Sequence, residues 1–171
     1  VSDEAVALVS AFGLVQTSSF FYASDLAQNA YGWSSRFTWI VVTAGVFGIA
    51  GFILGGHVSD RVGRRPIVAL ANVLAAAGTI LIFTGQRSLF IPGFFLNAAA
   101  GACFVTVTLA YVGELFPTEV RATLSSVVIA CQVAAGSLGL ALLGAIGGVV
   151  DYSLAMLILG GGLLAAILLL R

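Results

Sequence analysis

Seven arginines, no lysine and seven acids in 171 residues give a formal net charge of zero, which excludes the basic surface that a nucleic-acid partner needs. Hydrophobic residues make up 60% of the chain and charged ones 8%, with a mean hydropathy of +1.13. Soluble domains carry about 25% charged residues, so the class is a polytopic membrane protein, with room for about six or seven crossings of about 20 residues each.

The chain opens with VSDEAVALVS, acidic where a secretory signal would be basic, and has no initiator Met; it is expected to be a piece of something longer. Apolar runs broken by short polar stretches predict six spans, at about 5–28, 37–56, 66–85, 89–111, 122–148 and 152–170. Ser34 and Ser35 precede the second, Pro66 opens the third, Ser88 precedes the fourth and Asp151 the sixth, all suitable start signals. No window shows the period-two alternation of a barrel strand, so the expected fold is all-α. Polar residues crowd the first span, from Gln16 to Tyr22 and Asp25, whereas the sixth is almost wholly apolar after Ser153. The first is therefore expected to face a cavity and the sixth to lie at the periphery.

Residues 55–66, GGHVSDRVGRRP, hold Asp60, Arg61, Arg64 and Arg65, while residues 37–53 and 67–84 hold no ionisable side chain. Charges at a bilayer centre cost at least a few kcal/mol, so this stretch is expected to be a tight loop outside the hydrocarbon. Six crossings would put Arg61, Arg64, Arg65, Arg121 and Arg171 on one side and Arg36 and Arg87 on the other. The positive-inside rule assigns the larger set, and both chain ends, to the cytoplasm, in a plasma (cytoplasmic) membrane.

Gly45, Gly48, Gly51 and Gly55 recur along one face of the second span, and Gly136, Gly139, Gly144 and Gly147 along the fifth. Such stripes let helix backbones approach closely in lipid. Cys103 and Cys131 lie in apolar runs without a second ligand at metal-binding spacing, so they read as packing residues; no metal or cofactor is expected.

Two strings carry a family likeness. The first is Gly56-x-x-x-Asp60-Arg61-x-Gly63-Arg64-Arg65 and the second Glu114-Leu-Phe-Pro117-Thr118-Glu119-Val-Arg121-Ala, at the boundary of the fourth and fifth spans. Gly63 suits a turn needing positive φ, Pro117 ends one helix, Thr118 can cap the next, and Glu119 fits the positive end of its dipole. The first string resembles the signature loop of the major facilitator superfamily, and the second resembles the element after the tenth helix of many of its solute carriers. The wording of the second string is most similar to the C-terminal half of a twelve-helix carrier, which implies a missing N-terminal six-helix half as partner.

The resemblance further implies that Asp60, Arg61, Gly63, Arg64, Arg65, Glu114 and Arg121 form a cytoplasmic charge network that latches the outward-open state, with Glu114 paired to Arg64 or Arg65. A plainer reading, that the arginines only set topology, stands beside it. The resemblance also implies a small-molecule solute bound near the midplane on the first, second, fourth and fifth helices, and the polar candidates there are Gln16, Thr17, Tyr22, Thr43, Asn97, Thr106, Thr108 and Gln132. Of these, Gln16, Asn97 and Gln132 are the strongest, because an amide in a dry helix needs partners; helix-to-helix hydrogen bonding is the alternative for each.

Asp25 is the acid placed to exchange a proton, or else it is a solvated side chain at the outer end of the first helix; His57 reads as a loop residue at the membrane surface. The expected activity is proton-coupled symport of a sugar or an organic or aromatic acid by alternating access, with an efflux antiporter as the alternative. An enzyme is not expected, since one histidine at a loop edge and no paired intramembrane acids offer no catalytic constellation. A non-transporting scaffold in the lipid bilayer is the remaining reading.

Overall fold

The computed structural model describes residues 3–115, 117–146 and 154. The sixth predicted span, 152–170, and with it Asp151, Arg171 and Gly147, lies outside these apart from Leu154. The described residues form five long helices and no strand: α1 (Asp3–Asp25), which runs into a π-helical turn (Leu26–Ala30), α2 (Ser34–Val62), α3 (Arg64–Phe83), α4 (Arg87–Leu115) and α5 (Thr118–Ile146). Four segments, Ser34–Val62, Arg64–Phe83, Arg87–Glu114 and Glu119–Ala145, are long and apolar enough to cross a membrane.

One expectation about the second span needs correcting. Residues 55–66 are not a loop: α2 continues helically through Asp60 and Arg61 to Val62, Gly63 is the whole linker, and α3 begins at Arg64. Hydropathy marks where the lipid ends, and a helix need not end there. At about 1.5 Å per residue, 29 residues extend about 43 Å, past a hydrocarbon core of about 30 Å. The projecting turns keep their own backbone hydrogen bonds and carry the charges into water. Gly63 turns the chain with φ 109°, and its N–H returns to the Ser59 carbonyl at 3.0 Å. The fourth span likewise reaches beyond residue 111 to Leu115.

Packing centres on α4, which lies along both α2 and α3, while α1 lies along α5. Glycines set the closest approaches. A Cβ on Gly51 would run into the Ala99 carbonyl, one on Gly55 would sit 2.7 Å from Cys103 Sγ, and one on Gly136 2.5 Å from Thr17 Oγ1. Gly45, Gly48 and Gly144, by contrast, have nothing within 4 Å of such a Cβ. The glycine stripe of α2 therefore packs against α4 only through its second half.

Two apolar clusters occupy opposite ends of the bundle. Near Gly63, Phe12, Ile67, Val68, Ala71, Phe104 and Val107 are buried together, with the Phe12 and Phe104 rings stacked at 3.8 Å. At the far end Ala23, Phe37, Ile40, Phe83, Phe90 and Phe94 form the second cluster, bordered by Tyr31 and Trp33 with the Arg87 guanidinium 5.1 Å from the Tyr31 ring. Amphipathic aromatics and an arginine at a bundle end suit a membrane interface. Ser19, Thr79 and Asn97 lie between the clusters along α1, α3 and α4.

Candidate functional site

Arg64, the first residue of α3, faces the last turns of both α2 and α4 because a one-residue linker leaves it no room to swing away. Its Nε donates to Glu114 Oε1 at 3.0 Å and its Nη2 to the same oxygen at 2.7 Å. Nη2 also meets Asp60 Oδ1 at 2.7 Å, and Nη1 donates to Ser59 Oγ. Four of the five guanidinium hydrogens thus have acceptors. The Arg64 side chain is 17% exposed, against 62% for Asp60 and 56% for Glu114, so a mostly covered cation is held by carboxylates that keep one side in solvent.

The neighbouring basic residues differ. Arg65 donates through Nε to Tyr111 Oη at 3.1 Å. Arg61 and His57 are exposed on the final turns of α2. Arg121 is exposed and lies beside Gly113, with its Cδ 3.7 Å from where a Gly113 Cβ would be; among the described residues it forms no ion pair. Sequence reasoning gave no role to Ser59 or to Tyr111, which lies just ahead of Glu114 in the second string, because neither carries a charge; their hydroxyls hold Arg64 and Arg65.

The second site is a cavity of about 430 Å³ between the clusters, bounded by α1, α2, α4 and α5 with Ile82 of α3 completing the wall. Gln16 and Ser19 reach it from α1, Asn97 from α4 and Gln132 from α5, with Phe12, Phe20, Phe52 and Phe94 as apolar walls. Gly45 and Gly48 border it from α2, which explains why a Cβ on either would meet open space. The Gln16 amide lies against α4, with Nε2 2.6 Å from where a Gly101 Cβ would stand. No ionisable side chain among the described residues lines this cavity. Few convergent polar groups in an apolar concavity are what a small-molecule site offers.

The other residues marked from sequence lie elsewhere. Thr17 packs against Gly136 between α1 and α5. Tyr22 packs against the far-end cluster. Thr106 donates to the Ala102 carbonyl of its own helix at 3.0 Å, and Thr43 to those of Trp39 and Ile40. Thr108 is buried. Asp25 is exposed at the end of α1, where Asn29 Nδ2 donates to its Oδ1 at 2.6 Å, and it does not border the cavity. The reason is angular: successive helix positions differ by about 100°, so Gln16 and Thr17 cannot face the same neighbour.

A Major Facilitator Superfamily profile matches residues 5–171. Over 89 residues the chain is 35% identical to the Arabidopsis thaliana protein named "Putative sugar transporter ERD6-like 13", covering 51% of this chain and 18% of that relative. Over 97 residues it is 32% identical to "Probable inositol transporter 2" of the same plant, covering 53% of this chain and 17% of the relative. The matched stretch is thus under a fifth of each relative's length. With a family profile covering almost the whole chain, long apolar helices and an amide-lined cavity between them, this integral membrane protein belongs to the Major Facilitator Superfamily.

Proposed function

We propose that the chain is the C-terminal six-helix half of a secondary carrier that moves a neutral, polyhydroxylated small molecule, a sugar or cyclitol, by alternating access. The observation that carries this reading is the character of the cavity wall: three carboxamides, aromatic faces and, among the described residues, no ionised group. A carboxylate solute entering such a wall would lose its hydration without gaining a cation, whereas hydroxyls exchange water for amides at little cost. The names of the two relatives, a sugar and an inositol transporter, point the same way.

In this reading the Gly63 end of the bundle faces the cytoplasm and Arg64, Asp60 and Glu114 close that side until the halves rock apart. Asp25, at the opposite end, is the carboxylate of α1 through which proton coupling would run. The test is uptake of radiolabelled D-glucose and myo-inositol by the full-length carrier in proteoliposomes, with and without an imposed proton gradient. Saturable uptake of a neutral polyol, enhanced by inward-directed protons and diminished by Asp25→Asn, is expected. Selective uptake of an organic anion would overturn the choice of solute, and gradient-driven release would turn the symporter into the antiporter.

A further inference from the structure

Asn97 borders the cavity, yet its amide nitrogen is engaged behind it. Nδ2 donates to the Ala75 carbonyl at 3.2 Å and to Thr79 Oγ1 at 2.9 Å, both on α3. A primary amide has two N–H donors and no more. Its orientation is dictated by chemistry, because a flipped amide would set Oδ1 against a carbonyl that cannot donate. Thr79 is fully buried, gives its own proton to the Ala75 carbonyl at 3.0 Å, and meets Ser19 Oγ at 3.2 Å. Asn97 Oδ1, by contrast, has no partner among the described residues and is not fully buried. Gln16 and Gln132 differ: neither amide is hydrogen-bonded among the described residues, so either can turn to donate or accept.

We propose that Asn97 is a specificity-determining residue that reads one solute hydroxyl as a donor only, its amide held in that orientation by the Ala75 carbonyl with Thr79 as a second acceptor, neither of which borders the cavity. The inference rests on the cavity being the solute site. An ether, fluorine or carbonyl at the same place would set lone pair against lone pair and leave both groups desolvated and unpaired. The two glutamines tolerate either kind of group; Asn97 does not.

The test is competition against radiolabelled myo-inositol or D-glucose uptake by the full-length carrier, using monodeoxy and monofluoro analogues at each ring position. Fluorine accepts weakly and cannot donate. At one position the fluoro and deoxy analogues should both lose about tenfold in apparent affinity, the scale of one unpaired buried group. Asn97→Leu, which removes Oδ1, should erase that discrimination at that ring position alone, while Thr79→Val, which leaves the Ala75 carbonyl to hold the amide, should keep most of it, a pattern that loss of packing alone would not give. If every fluoro analogue binds like its parent, or if Asn97→Leu leaves the ratio unchanged, the assignment falls. Absence of saturable uptake of either polyol overturns the solute-site reading itself, and this inference with it.

Discussion

Arg64 grips Glu114 by two hydrogen bonds to a single carboxylate oxygen, Nε at 3.0 Å and Nη2 at 2.7 Å, across fifty positions of sequence. The pair ties the first turn of α3 to the last turn of α4, and Asp60, four residues before Arg64, ties the same guanidinium to α2. Three helix ends thus share one cation. Moving α4 relative to α2 requires that this group change partners.

Arg64→Ala and Glu114→Gln should therefore each lower transport by on the order of tenfold, the scale of a coupling between two conformations, with membrane insertion unchanged. The double variant should lose little more than either single one. Arg64→Lys should rescue poorly, because an ammonium cannot reproduce the forked geometry. Transport rates at wild-type level in both single variants would leave these residues a topological role only.

Gly63 is the sole residue between α2 and α3 and holds φ 109°, ψ 158°, a region essentially closed to residues with a Cβ. Gly63→Ala is expected to cost about 1–3 kcal/mol and to appear as a lowered melting temperature in detergent. The strain would also pull Arg64 from its carboxylates, so transport should fall with stability. An unshifted melt would show that the turn can relax.

The α2 glycines should separate into two classes. Gly55→Ala would drive a methyl to 2.7 Å from Cys103 Sγ, and Gly51→Ala would meet the Ala99 backbone; overpacking of this kind costs about 1–3 kcal/mol. Gly48→Ala meets nothing within 4 Å and should leave stability unchanged. Thermal melts of the three variants check this, and equal losses at all three would contradict the packing described.

Gln16→Ala and Gln132→Ala each remove an amide from the cavity. A hydrogen bond to solute is worth about 0.5–1.5 kcal/mol net, so the half-saturation concentration should rise about 2- to 10-fold with the maximal rate largely kept. Thr17→Ala and Thr106→Ala, whose side chains do not border the cavity, serve as controls with near-normal affinity.

Much of this molecule is legible in its sequence, and the reason lies in the solvent. Lipid demands long apolar helices with satisfied backbones, so the second to fifth spans follow from composition and punctuation alone; charge density marked Asp60 and Arg64, and the family resemblance of its string marked Glu114. Chemistry likewise singled out Gln16, Asn97 and Gln132, since carboxamides are costly in a dry helix. Periodicity could not say that Thr17 faces α5 or that Thr106 returns its proton to its own helix, because small hydroxyls satisfy themselves locally. Nor could hydropathy find helix ends that continue past the lipid, as α2 does through Asp60.

Which polar groups meet is a matter of distance, and only the folded bundle supplies it. The sequence by itself determined that the chain is a helical membrane protein with a basic turn and a few polar positions in apolar surroundings, because each of those properties is local. The tertiary structure decided that Ser59 and Glu114 share Arg64, that Gly45 and Gly48 of α2 open onto a cavity, and that the Ala75 carbonyl and Thr79 take the Asn97 amide nitrogen. Those facts depend on helix rotation and crossing, to which residues tens of positions apart contribute together.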